Sequence, residues 1–148
     1  MEEKMHNIEI LLVEDSLEDA TLVIRSLKKS NLGNSLKHLS DGAEALEFIF
    51  ASGKYSGRNV DDKPKLILLD LKMPKVDGLQ VLHAIKTDER TRSIPVVIMT
   101  SSREDKDLIE SYKLGVNGFV IKPVSFDNFA KAVADLGMYW LMVNQSPR

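Results

Sequence analysis

Four short apolar runs, each followed by a stretch of helical period, decide what this chain can fold into. The runs are IEILLVED, KLILLDL, IPVVIMT and GFVIKP. Each is about strand length and is bounded by polar residues, Gly or Pro. A strand that is apolar at nearly every position needs cover on both faces, which points to a parallel sheet with helices on either side. A weaker alternating stretch, SLKHLSDG at residues 35–42, supplies a fifth strand.

Between the runs the period changes from strand to helix. Leu17, Ala20, Ile24 and Leu27 recur at helical spacing, with Ser16 placed to cap that helix and Asp19 in its first turn. Ala43, Leu46 and Ile49 or Phe50 repeat the pattern, as do Leu79, Leu82 and Ile85, then Leu108, Ile109 and Tyr112. The last set is Phe126, Phe129, Ala130, Val133, Leu136 and Trp140. The order is βα five times over. With right-handed crossovers this predicts an α/β, doubly wound, five-stranded parallel sheet of order 2-1-3-4-5, flavodoxin-like in topology.

The 148 residues match the size of one domain, and no linker, repeat or low-complexity tract divides them. The polar stretch at 52–65 reads as an exposed loop or helix extension, and an apolar helix is expected near 125–143. A net charge of −2 offers no nucleic-acid or anionic-membrane surface. The absence of cysteine removes disulfides, thiolate catalysis and Cys-ligated zinc together. No basic-then-apolar leader opens the chain and no run approaches the roughly 18 apolar residues of a spanning helix. The expectation is a cytoplasmic protein bound to neither membrane nor nucleic acid.

In a sheet of this order, ligands sit beyond the carboxyl ends of the strands, where strand order reverses. The first strand ends in Glu14 and Asp15, and the third in Asp70. The fourth ends in Thr100, followed by Ser101 and Ser102, and the fifth in Lys122, followed by Pro123. Alone, each has an ordinary explanation: Asp70 a turn, Glu14 and Asp15 a helix dipole, Thr100 a strand residue, Lys122 a solvated surface lysine. Together they form a cleft of three carboxylates facing a hydroxyl and an ammonium. Three like charges that close repel by kcal/mol amounts, and a divalent cation relieves this. Oxygen-only donors favour Mg²⁺ or Mn²⁺ over zinc, and such an ion leaves room for a phosphoryl oxygen. Lys122 would face that phosphoryl group and Thr100 would donate to it. The cleft is built to place a phosphoryl group on a carboxylate or to take it off.

These residues, VEDS at 13–16, LLDLKMPKVDG at 68–78, VVIMTS at 96–101 and GFVIKP at 118–123, resemble the response-regulator receiver domains of two-component signalling. The resemblance covers roughly residues 8–135 and implies a single receiver domain. It implies that Asp70 accepts the phosphoryl group and that Asp15 and, more through water, Glu14 hold the metal. Lys72 falls where the family lends a backbone carbonyl to the ion. Thr100 matches the hydroxyl that moves toward the phosphoryl group, Lys122 the phosphate-binding lysine, and Phe119 the aromatic switch position, although an aromatic after Gly118 also serves as core. The Lys122–Pro123 bond matches the family's cis peptide. Pro74 and Gly78 shape the turn that follows Asp70. The three histidines, His6, His38 and His83, are scattered, are expected at the surface and receive no role.

The resemblance implies a histidine kinase as partner. The long polar segment before the third strand and the YWL…P ending resemble single-domain regulators paired with phytochrome-type kinases. With some two dozen residues after Lys122, output is expected through contact with an unidentified downstream protein. The belt Met138 to Val143, centred on Tyr139 and Trp140, is apolar all round a helix and suggests a homodimer surface. Two rival readings each meet a contrary residue or stretch. A small aspartyl-phosphate phosphatase commonly has a second acid two residues after the nucleophile, where Lys72 stands. A flavodoxin-like binding module needs a Ser/Thr/Gly phosphate loop after the first strand, where EDSLED is acidic. The chain is therefore expected to be a phosphoryl acceptor and not a conventional enzyme.

Overall fold

The structure, a computed structural model, describes residues 9–28, 35–73, 76–101, 110–111 and 113–135. Its described elements are β1 (Ile10–Val13), α1 (Leu17–Lys28), β2 (Leu36–Leu39), α2 (Gly42–Ile49), a 3₁₀ turn (Gly53–Tyr55), β3 (Leu66–Asp70), α3 (Gly78–Thr87), β4 (Val96–Thr100), β5 (Gly118–Ile121) and α4 (Phe126–Asp135). The strands are all parallel and run in the order β2-β1-β3-β4-β5, as the apolar runs predict. Every residue of β1, β3 and β4 is buried. These three are the inner strands, so both of their faces need cover.

Alternate residues feed two cores. Ile10, Leu12, Leu66, Leu68, Val97 and Met99 pack with Ala20, Val23 and Leu27 of α1 and Phe129 and Val133 of α4. Leu11, Val13, Ile67, Leu69, Val96 and Ile98 pack with Ala45, Phe48 and Ile49 of α2 and Val81, Leu82 and Ile85 of α3. Each fully buried aliphatic side chain stabilises the fold by about 1.5–3 kcal/mol relative to exposure.

In α1 and α2 most of the expected apolar positions face the cores, Ala20, Leu27 and Ile49 buried and Ile24, Leu46 and Phe50 packed partly buried, but the first position of each set is exposed. On α1 the buried positions are Ala20, Val23 and Leu27, while Leu17 is 74% exposed at the helix's open end. On α2 the buried side chains are Ala45, Phe48 and Ile49, and Ala43 faces solvent. Ser16 does cap α1, accepting from the Asp19 N–H at 3.1 Å. Leu108, Ile109 and Tyr112 of the expected helical set lie outside the described residues. The expected helix near 125–143 is described only as far as Asp135.

The polar segment at 52–65 is tied down. Tyr55 meets Phe48 edge-to-face with centroids 5.1 Å apart, and its hydroxyl donates to Glu44 Oε2 at 2.7 Å. The Arg58 guanidinium stacks 3.9 Å from the Phe48 ring and donates to the carbonyls of Phe48 and Asp62. At the opposite end of the sheet from the candidate cleft, Lys86 donates to the carbonyls of Arg92 and Ile94 and to Asn117 Oδ1. This ties α3 to the starts of β4 and β5.

Candidate functional site

The carboxyl ends of β1, β3, β4 and β5 bring the expected side chains together. Val13 pairs with Leu69, so Glu14 and Asp70 emerge side by side. Glu14 stays in the sheet's frame one residue longer, its N–H donating to the Leu39 carbonyl at 3.1 Å. Glu14 and Asp70 are buried and Asp15 is exposed. One carboxylate oxygen from each of Glu14, Asp15 and Asp70 lies within 4.8 Å of the other two. Thr100 is buried at the end of β4, and its carbonyl accepts from the Lys122 N–H at 2.8 Å. The Lys122–Pro123 bond is cis.

The Lys122 ammonium is shared among acids. It lies 3.0 Å from Glu14 Oε1, 3.2 Å from Asp19 Oδ2 and 3.4 Å from Asp70 Oδ2. Burial works against its charge, but Glu14, Asp70 and Asp19 outweigh that and hold its pKa above the ordinary lysine value. Asp70 Oδ1 accepts the backbone N–H of Lys72 at 3.2 Å, which folds the start of the β3–α3 loop back over the carboxylate. Glu14 Oε2 accepts the Ser16 N–H at 3.1 Å.

Glu14 is the strained member. Burial pushes its carboxyl up to about 7, the neighbouring Asp70 carboxylate pushes in the same direction, and Lys122 and the Ser16 N–H pull it down. Its Oε1 is buried and, among the described residues, accepts no well-formed hydrogen bond, although the Lys122 ammonium lies 3.0 Å away as an ion pair. A buried oxygen left short of partners beside two further carboxylates, with exposed Asp15 on the open side, fits a hard divalent cation. The donors are all oxygen, which suits Mg²⁺ or Mn²⁺.

The remaining expected residues are placed unevenly. Ser101 is exposed directly after Thr100. Phe119 pairs with Ile98 across the β4–β5 ladder and packs, half-buried, against the core on the α2–α3 side. Ser102, Pro74, Tyr139 and Trp140 lie outside the described residues. Two residues that sequence reasoning left out stand at the site. Asp19, in the first turn of α1, reaches the Lys122 ammonium across the cleft mouth at 3.2 Å. His38, expected at the surface, is half-buried, and its Nε2 lies 2.9 Å from the Glu14 carbonyl, which makes that nitrogen the donor. His83 is exposed as expected. The β1–β2 register, which sets His38 opposite Leu12, brings it to the Glu14 carbonyl, a relation that only the fold reveals.

Comparison with known proteins agrees with this geometry. The family model of the response regulator receiver domain matches residues 10–134. The chain is 41% identical over 132 residues to the response regulator Rcp1 of Synechocystis, covering 89% of this chain and 88% of Rcp1. It is also 41% identical over 138 residues to the "Probable methanogenesis regulatory protein FilR2" of Methanothrix harundinacea, covering 93% of this chain and 86% of that one. Among solved structures, the bacteriophytochrome response regulator RtBRR superposes with a TM-score of 0.84 at 46% identity, over 94% of this chain and 83% of RtBRR. The Mn²⁺-bound form of Rcp1 superposes with a TM-score of 0.73 at 40% identity, over 94% of this chain and 98% of that one.

Proposed function

The chain belongs to the response regulator receiver domain family and is a phosphoacceptor response regulator, and we propose that Asp70 is the residue that carries its phosphoryl group. One observation supports this most: Asp70 ends the central strand with a carboxylate oxygen within 4.8 Å of those of Glu14 and Asp15 and with the Lys122 ammonium 3.4 Å away. Receivers of this family pair with histidine kinases. In the transfer, an Asp70 carboxylate oxygen attacks the phosphorus of the kinase's phosphohistidine. The P–N bond breaks, the imidazole nitrogen keeps the electron pair, and an acyl phosphate forms on Asp70.

Glu14, Asp15, Asp70 and the Lys72 carbonyl are the groups that would hold Mg²⁺ or Mn²⁺, which supplies charge neutralisation for the transferred group. The Mn²⁺-bound Rcp1 among the similar structures supports the same ion class here. Lys122, 3.4 Å from Asp70 Oδ2, places positive charge beside the acceptor carboxylate. Thr100, at the end of β4, donates its hydroxyl to the phosphoryl group, with Ser101 beside it. As Thr100 moves, Phe119 turns inward and repacks the surface around β5 and α4. Phosphatase and flavodoxin-like readings are not favoured, and Lys72, where an acid would stand, fits a phosphoryl acceptor that assists its own phosphorylation and does not turn over a substrate.

The kinase is proposed to be phytochrome-like, on the strength of the bacteriophytochrome response regulators RtBRR and AtBRR. A cytoplasmic location fits, and no helix among the described residues is long and apolar enough to cross a membrane. A homodimer through Tyr139 and Trp140 remains part of this reading, carried by the apolar belt that follows α4 in sequence. Sedimentation with and without beryllofluoride tests it, and a monomer at high micromolar concentration in both states would exclude it.

The test of Asp70 is incubation with acetyl phosphate and Mg²⁺, read by intact mass. Wild-type chain should gain one phosphoryl mass and Asp70→Asn none, because the amide keeps the shape but is a poor nucleophile. Equal labelling of both would overturn the assignment.

A further inference from the structure

Lys122 holds three carboxylates where the proposed chemistry needs only one or two of them. Glu14 and Asp70 belong to the acidic cluster. Asp19 does not: it sits in the first turn of α1, its side chain is 40% exposed, and its oxygen is 3.2 Å from the Lys122 ammonium. The ion pair spans 103 residues of sequence and joins α1 to the end of β5. A helix-dipole role would leave the Asp19 carboxylate turned to solvent near its own backbone. Its backbone N–H is already capped by Ser16 Oγ, so the side chain is not needed for the cap.

We propose that Asp19 is a positioning residue for Lys122, which holds the ammonium toward α1 in the unphosphorylated chain and competes with the phosphoryl group for it afterward. The inference rests on Asp70 as phosphoacceptor. A phosphoryl group on Asp70 places new anionic oxygens within reach of Lys122, which already stands 3.4 Å from the Asp70 carboxylate. Each increment of pairing with Asp19 is withdrawn from that group. Asp19 also adds a fourth negative charge at the mouth of the cleft, which opposes an incoming anionic donor. Both effects have the same sign. Asp19 thereby makes phosphorylation slower and the phosphorylated state less tightly held than Glu14, Asp15, Asp70 and Lys122 alone would make it.

The test uses the full chain and the isosteric Asp19→Asn. Phosphorylation by acetyl phosphate with Mg²⁺ should speed up, and loss of the phosphoryl group should slow, each by about two- to fivefold. That is the range of an exposed ion pair of up to about 1 kcal/mol at 1.4 kcal/mol per tenfold. Asp19→Glu should return both rates toward wild type. In a Lys122→Met background Asp19→Asn should lose its effect on loss of the phosphoryl group, which a merely structural role would not do. A second readout needs no phosphorylation: in the metal-free chain, hydrogen exchange of the Lys122 ammonium, followed by ¹⁵N NMR, should accelerate in Asp19→Asn. Unchanged rates, unchanged exchange, or an effect on phosphoryl loss that persists without Lys122 would overturn the role of Asp19. Wild-type chain that takes no phosphoryl group on Asp70 would overturn the phosphoacceptor reading and with it the competition, even if the exchange result placed Asp19 on Lys122.

Discussion

Gly78 stands against the carbonyl oxygen of Asp70 so closely that a Cβ built there would come within 3.0 Å of it and of Leu71 Cα, nearer than side chains tolerate. The Gly78 N–H donates to the Leu71 carbonyl at 3.0 Å, so the β3–α3 loop closes on itself just past Asp70. The neighbours on the other side are backbone atoms, which cannot swing away. Gly78→Ala should therefore displace the loop, lower stability by about 1–3 kcal/mol and slow phosphorylation. Urea denaturation and acetyl phosphate labelling measure the two effects. A variant with wild-type stability and rate would show that the loop gives way without moving Asp70.

The crowding of Glu14, Asp15 and Asp70 makes the fold sensitive to divalent ions. Binding to the folded chain alone adds about 2.7 kcal/mol when the ion is 100-fold above Kd, and less at lower excess. Mg²⁺ should raise the thermal midpoint of the wild-type chain. Asp15 is exposed, so Asp15→Ala should leave the metal-free midpoint within about 0.5 kcal/mol of wild type and remove most of the Mg²⁺ response. Midpoints indifferent to millimolar Mg²⁺ in both proteins would contradict the metal site.

Without the ion, Glu14 gives the fold an unusual pH response. Its carboxyl is pushed from 4.5 to about 7 in the folded chain, first by burial and then by Asp70. Between those values the unfolded chain has already released the proton while the folded chain still holds part of it. The unfolded state then binds fewer protons, so the Glu14 contribution to stability falls as pH rises across that interval. Chelated protein should lose stability over this range by urea titration. Glu14→Gln should flatten the curve, and so should saturating Mg²⁺, which selects the ionised carboxylate. A wild-type curve in chelator with the same slope as Glu14→Gln would refute this.

What could be read beforehand followed from features with one physical meaning. A run such as LILLD has to lie inside a parallel sheet, and the topology of such a sheet then places Asp70, Glu14, Asp15, Thr100 and Lys122 at one end of it. Asp19 was not legible because an acid in a helix's first turn is already explained by the dipole, and only the fold brings Lys122 to it. His38 was hidden in the same way, its partner being a backbone carbonyl that no sequence pattern marks. Leu17 and Ala43 are exposed because they extend the apolar period to the open end of each helix, beyond the part that the sheet covers. For the 52–65 segment, polarity hid Tyr55 and Arg58, whose rings and guanidinium act through pairing with Phe48 and Glu44 and not through burial of an apolar stripe.

That segment offers the last test, because its anchoring is separable from the phosphoryl site. Tyr55 contributes an edge-to-face contact with Phe48 and a hydroxyl bond to Glu44, with Lys37 and Lys54 each about 5.6 Å from its ring centroid. The aromatic pair is worth about 0.5–1.5 kcal/mol beyond its area. The hydroxyl bond adds about 1 kcal/mol. The Lys54–Glu44 pair is exposed on the lysine side and adds little. Tyr55→Phe should therefore lower stability by about 1 kcal/mol and Tyr55→Ala by about 2–3 kcal/mol. Phe48 is buried at the C-terminal end of α2, the end away from Gly42 and its contact with the Val76 carbonyl beside the β3–α3 loop. Both variants should accordingly keep the wild-type rate of acetyl phosphate labelling. A Tyr55→Ala chain that labels several-fold more slowly while remaining folded would show that α2 transmits the state of this segment to the loop after Asp70.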